Sequence, residues 1–146
     1  MFAMRLHAHH TPLQWEELPD PTPGAGEIRV KVLACGVCRT DLHVVDGELA
    51  HPVLPIIPGH EIVGRIDQLG PGVEGLSIGQ RVGIPWLGHT CGHCPYCASH
   101  HENLCDTPEF TGFTRNGGYA TLAVADARFA FPLGESGSDV ELAPLL

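Results

Sequence analysis

At 146 residues, 43% hydrophobic and 17% charged, the chain is long enough to bury a core and too apolar to stay disordered. Its formal charge of −9 includes only eight Lys and Arg, with no basic run, which argues against nucleic acid as a partner. No apolar run reaches membrane-spanning length and Met1–His7 lacks the apolar centre of a signal peptide, so no membrane partner and a cytoplasmic location are expected.

Eighteen Gly and thirteen Pro require many turns, which favours a mainly β barrel or sandwich with short helices. In chain order, Met4–His7 and Leu13–Leu18 read as an opening hairpin, with His7, His9 and His10 alternating along an exposed strand rather than forming a metal cluster. Residues 19–26 are too rich in Pro and Gly for regular structure. Glu27–Ala34 alternates polar and apolar residues, the pattern of a half-buried strand with Ile28, Val30 and Val32 on one face. Ile62–Gly70 and Gln80–Ile84 read as further strands, and Gly117–Val124 as a late one. Residues 134–139 read as loop, and Val140–Leu146 as the opening of a helix.

The six Cys, with no secretory signal, read as metal ligands before disulfides. Cys91, Cys94, Cys97 and Cys105 are spaced C-x2-C-x2-C-x7-C. Two-residue gaps let successive thiolates turn onto one tetrahedral ion, and four thiolates leave no open position, so a structural zinc is the leading reading. Disulfides and an iron–sulfur cluster remain as alternatives. His89, His93, His100 and His101 lie nearby and are expected to face solvent.

The second concentration of ligand chemistry runs from Cys38 to Glu61. A catalytic zinc keeps three protein ligands and one exchangeable position. Cys38 and His60 supply two, and Glu61 is placed to ligate or to stand beside the ion. Ligating His residues pass their other ring nitrogen to a carboxylate, a role open to Asp41, which could equally cap a turn after Cys38. Cys35 is left as a small buried residue, because the other four Cys already form a complete set.

These motifs resemble the N-terminal, GroES-like catalytic domain of zinc-dependent medium-chain alcohol dehydrogenases. The resemblance rests on Gly59-His60-Glu61 with Gly64, Gly70 and Val73, on Gly36-Val37-Cys38-Arg39-Thr40-Asp41, on the four-Cys spacing, and on Gly117-Gly118-Tyr119-Ala120. It implies a partly open β-barrel over residues 1–146 with a zinc-stapled lobe at about 88–108. It also implies a catalytic zinc on Cys38 and His60 with Glu61 able to approach, and a structural zinc on the four-Cys set. By the same resemblance Thr40 takes the proton of the substrate alcohol and His43 relays it outward. Arg39 lies near the cofactor pyrophosphate, and Trp86 lines the substrate pocket. The implied reaction is oxidation of an alcohol to an aldehyde or ketone, with hydride transfer to NAD or NADP. Two zinc ions per full-length chain and a homo-oligomer are implied.

The chain contains no G-x-G-x-x-G between a strand and a helix, so no dinucleotide-binding domain is expected within it. The third catalytic ligand, usually a Cys, is expected just beyond Leu146, and the fragment alone is expected to be inactive. A zinc-stabilised binding module without chemistry, and a polyol dehydrogenase or aldehyde reductase of the same superfamily, are the competing readings.

Overall fold

The computed structural model describes residues 1–50 and 53–146. It opens on a hairpin of β1 (Phe2–Arg5) and β2 (Gln14–Glu17), with Ala3 opposite Glu16. Strand β1 ends before the histidines and β2 begins after them, so the expected His alternation along a strand does not occur. His7 pairs with Glu16, while His10 adopts a left-handed conformation (φ 59°) in the connecting turn.

The main sheet is antiparallel. Strand β3 (Glu27–Gly36) pairs with β4 (Glu61–Leu69), and β4 pairs with β5 (Arg81–Ile84). Strand β8 (Leu122–Asp126) lies on the other side of β3, and β9 (Phe131–Pro132) extends β5. The order β8-β3-β4-β5-β9 leaves β8 and β9 as unpaired edges of this sheet, so the barrel is open. Inward side chains recur at every second position. Ile28 and Val30, Ile62 and Ile66, Val82 and Ile84, and Ala123 and Ala125 meet in one buried cluster. Each large member contributes about 1.5–3 kcal/mol relative to exposure.

Between β3 and β4 stands helix α1 (Arg39–Val45). Cys38 caps it: its sulfur accepts from the Thr40 N–H at 3.3 Å, and its own N–H donates to the Asp41 carboxylate at 2.9 Å. A second apolar cluster of Leu6, Val44, Ile56 and Phe113 holds the helix down, with Trp86 and Phe110 packed against it. The turn after β1 also docks on the end of α1, where the His10 N–H donates to the Val45 carbonyl at 2.9 Å.

The four-Cys segment is framed by β6 (Leu87–His89) and β7 (Glu109–Phe110), which pair in a small sheet of their own. Inside it, helix α2 (Pro95–Ala98) is a single turn capped by Cys94. The chain then meets Gly117-Gly118-Tyr119, expected as the start of a strand. Here the structure differs, because these residues bond to the segment before β4 instead of joining the sheet. The N–H groups of Gly117, Gly118 and Tyr119 donate to the carbonyls of Ile57, Gly59 and Pro58 at 2.7, 2.8 and 3.0 Å. A side chain at Gly117 would collide with the Gly59 carbonyl oxygen, so only glycine allows this approach. The expected terminal helix is α3 (Asp139–Leu142), followed by a 3-10 turn over Ala143–Leu145. Buried Arg81 fastens this end by donating to the Ser136 and Gly137 carbonyls and pairing with Asp139 at 2.7 Å.

Candidate functional site

Two groups of metal-ligating side chains are present among the described residues: Cys38 with Asp41 and His60, and Cys91, Cys94, Cys97 and Cys105. Within each group the ligand atoms lie within 4.8 Å of one another.

In the first group, Cys38 Sγ lies 3.1 Å from His60 Nε2. Two ligands sharing one tetrahedral zinc stand about 3.6 Å apart for ordinary Zn–S and Zn–N lengths, so the pair fits such an ion with a small adjustment. Asp41 lies on the other side of the ring, with Oδ1 3.4 Å from His60 Nδ1. One imidazole offers one nitrogen to an ion, so Cys38 and His60 are the ligand candidates and Asp41 the carboxylate that orients the ring. Asp41 also accepts from the Cys38 N–H and from the Gly59 N–H at 3.1 Å. Burial raises the pKa of this carboxylate. Bonds from His60, the Cys38 N–H and the Tyr119 hydroxyl outweigh that effect and hold it below its ordinary value. Asp41 thus caps α1 and faces His60 Nδ1 at the same time.

His60 is buried, and the turn before it holds Gly59 at φ +94°, with the Tyr119 ring lying where a side chain on that glycine would begin. The Tyr119 hydroxyl donates to the Gly36 carbonyl at 3.4 Å, and burial beside Asp41 raises its pKa, so it remains a donor. Sequence reasoning missed this role. Tyr119 lies in a motif that reads as strand, and nothing local marks its reach to Gly36.

The remaining expected residues are placed around this pair. Glu61 lies outside the 4.8 Å group, its carboxylate resting across Gly36. Thr40 and His43 are one helical turn apart on α1. His43 Nδ1 pairs with Glu48, a partner the sequence did not suggest. Arg39 opens α1 and is exposed. Trp86 meets the His60 ring edge-on at 5.0 Å between centroids, and stacks between Phe110 at 4.9 Å and Phe113 at 5.9 Å. Cys35 lies outside both groups, and burial pushes its pKa up to about 12.

In the second group, Cys94, Cys97 and Cys105 are buried and Cys91 is half-buried. Cys91 Sγ and Cys97 Sγ are 4.0 Å apart, close to the edge of about 3.8 Å expected for a tetrahedral ZnS4 centre. Backbone N–H groups turn inward onto the sulfurs, from Cys91 and Thr107 to Cys105, from Cys94 to Cys91, and from Cys97 to Cys94, at 3.3–3.5 Å. Such donors lower the pKa of Cys91 and Cys94, and of Cys105 against the effect of its burial, while burial pushes Cys97 up to about 12. Four sulfurs gathered this closely, three of them receiving backbone N–H donors, fit a bound divalent ion.

Of the neighbouring histidines, His93 and His101 are exposed, as expected. His100 is also exposed, in a left-handed conformation. His89 departs from expectation, being half-buried with Nδ1 2.7 Å from the Asp126 carboxylate. Arg128 joins this pair and donates to the Thr90 carbonyl at 2.9 Å, beside the lobe. A cleft of about 500 Å³ opens here, lined by Glu27, Val73, His89, Asp126 and Arg128 and by none of the candidate ligands.

The open antiparallel barrel thus carries two groups of side chains that could hold a metal ion, one Cys–His pair with Asp41 and one four-Cys lobe. Residues 24–135 match the family described as alcohol dehydrogenase GroES-like domain. An alcohol dehydrogenase of Geobacillus stearothermophilus is 47% identical over 135 residues, covering 92% of this chain and 40% of that protein. An alcohol dehydrogenase of Moraxella sp. (strain TAE123) is 46% identical over 147 residues, covering 100% of this chain and 44% of that protein. The cobalt- and zinc-bound thermostable alcohol dehydrogenase from Pyrobaculum aerophilum superposes with a TM-score of 0.89 at 32% identity, over 99% of this chain and 44% of that one. The chain belongs to the alcohol dehydrogenase GroES-like domain family. It spans about two-fifths of the length of these curated relatives. No helix among the described residues is long and apolar enough to cross a membrane.

Proposed function

We propose that this chain is the catalytic domain of a zinc-dependent alcohol dehydrogenase that oxidises an alcohol to an aldehyde or ketone, with hydride transfer to NAD or NADP. The observation that carries this reading is the Cys38 Sγ–His60 Nε2 pair at 3.1 Å with Asp41 across the ring. Cys38 and His60 would hold the catalytic zinc, and Cys91, Cys94, Cys97 and Cys105 the structural one. Zinc, when bound, supplies Lewis acidity that eases loss of a proton from an oxygen acid.

The chain's own residues then divide the remaining work. Thr40 accepts the proton of the substrate hydroxyl, and His43, further out on α1, passes it to solvent. Glu61 is the carboxylate free to approach the metal when ligands exchange. Trp86 forms one wall of the substrate pocket, and Arg39 takes the cofactor pyrophosphate. The cofactor domain, a third protein ligand and the contacts of a homo-oligomer belong to sequence outside these residues, and the cytoplasm is the expected compartment. One relative is named an NAD-dependent alcohol dehydrogenase, and another was solved bound to NADP, which supports a nicotinamide of either kind.

Metal counting and turnover test the reading in a full-length protein carrying this domain. Two zinc ions per chain and nicotinamide-dependent oxidation of a simple alcohol, lost in Cys38→Ser, are expected. One ion per chain and no turnover would identify a zinc-stabilised binding module instead.

A further inference from the structure

We propose that Tyr119 is a positioning residue that sets the separation of Cys38 and His60 by tying their two loops together through its hydroxyl and its ring. The proposal rests on the reading of Cys38 and His60 as metal ligands. Tyr119 touches both loops. Its N–H donates to the Pro58 carbonyl at 3.0 Å, and its ring lies over Gly59, the residue before His60. Its hydroxyl reaches the Gly36 carbonyl at 3.4 Å, two residues before Cys38, and lies beside the Asp41 carboxylate. Asp41 meets both ligands, through the Cys38 N–H at 2.9 Å and His60 Nδ1 at 3.4 Å.

The sequence around Tyr119 is built for this approach. Gly117 and Gly118 have no room for side chains: a Cβ on Gly117 would strike Gly59, and one on Gly118 would strike Ile62. The Met4 N–H, donating to the Tyr119 carbonyl at 2.7 Å, fixes the residue from the other side. A ligand pair held at the right separation before the ion arrives binds it more tightly, because no loop ordering remains to be done. Removing an outer partner of a ligand characteristically costs 10–100-fold in metal affinity.

The test uses a full-length protein carrying this domain, with zinc occupying the four-Cys lobe, titrated with Co(II) and followed by thiolate-to-cobalt absorption that Cys38→Ser diminishes. Tyr119→Phe keeps the ring and removes the hydroxyl. We expect it to weaken cobalt binding about tenfold, to shift the absorption band, and to leave the lobe zinc and the melting temperature close to wild type. In an Asp41→Asn background the same change should add little, since the two groups act on one geometry. Wild-type chain that takes up no cobalt at Cys38 would overturn the metal reading itself. Tyr119→Phe that binds cobalt within twofold of wild type, with an unchanged band, would overturn the positioning role alone. A fall in melting temperature with loss of lobe zinc would reduce Tyr119 to a packing residue.

Discussion

Cys38 Sγ stands 3.1 Å from His60 Nε2, although 22 residues separate them in sequence. Cys38 is fixed as the cap of α1, and His60 by the turn at Gly59 and the start of β4. Asp41 joins these two independent supports. Asp41→Asn should keep much of the volume but turn an NH2 toward one of two N–H donors, that of Cys38 on Oδ2 or that of Gly59 on Oδ1. Metal affinity at Cys38 and His60 is expected to fall about 10–100-fold, read by competition with a chromophoric chelator. Affinity within twofold of wild type would show that the ring keeps its orientation without the carboxylate.

The lobe offers few apolar side chains of its own, its buried members being the cysteines. Its order should therefore depend on the ion. Cys97→Ser is expected to lower zinc content by one ion per chain and to destabilise the domain by more than about 2 kcal/mol. Hydrogen exchange should locate the loss within residues 90–107. Intact exchange protection there after the substitution, with zinc gone, would show that backbone bonding alone orders the lobe.

Trp86 connects this lobe to the Cys38–His60 pair. It lies between Phe110 of β7 and Phe113, with its edge relation to the His60 ring on the same side chain. Trp86→Ala removes the centre of a three-ring layer and is expected to cost about 2–4 kcal/mol, given that the indole is only half-buried. Trp86→Phe should recover most of that in urea unfolding. With the proposed pocket role, the Ala variant should also favour bulkier alcohols in kcat/KM. A stability loss with unchanged substrate preference would leave Trp86 as core only.

The parts of this molecule that could be read from sequence are those in which neighbouring residues do the work. Cys91, Cys94 and Cys97 turn onto one centre through local backbone geometry, so their spacing alone announced that the thiols gather. Ile28 and Val30 alternate because a strand alternates. The segment Gly117–Ala120 looked like strand by the same rule, yet its glycines serve the close approach to Pro58 and Gly59. Contacts that depend on strand order were invisible. Tyr119 reaches back 83 residues to Gly36, and Arg128 reaches back 38 residues to Thr90. No periodicity encodes which strand lies beside which, so the residues that brace each metal group appear only in the folded chain.

Asp126 provides a test of that bracing. Burial raises the pKa of its carboxylate, but the Arg128 guanidinium and N–H, with His89, outweigh burial and hold it below its ordinary value. A carboxylate with a depressed folded pKa contributes stability that is fully present above its unfolded pKa of about 3.9. That stability is lost as pH falls through the lower folded value. Urea midpoints measured from about pH 6 to about pH 3 should therefore fall less steeply at the acid end in Asp126→Asn than in wild type, with the variant already less stable near neutrality. Arg128→Met should reproduce much of the loss near neutrality, because it leaves Asp126 buried with only His89 and the backbone N–H of residue 128 as partners. If wild type and Asp126→Asn lose stability in parallel across the whole acid range, the Asp126–Arg128 pair does not hold the lobe to β8.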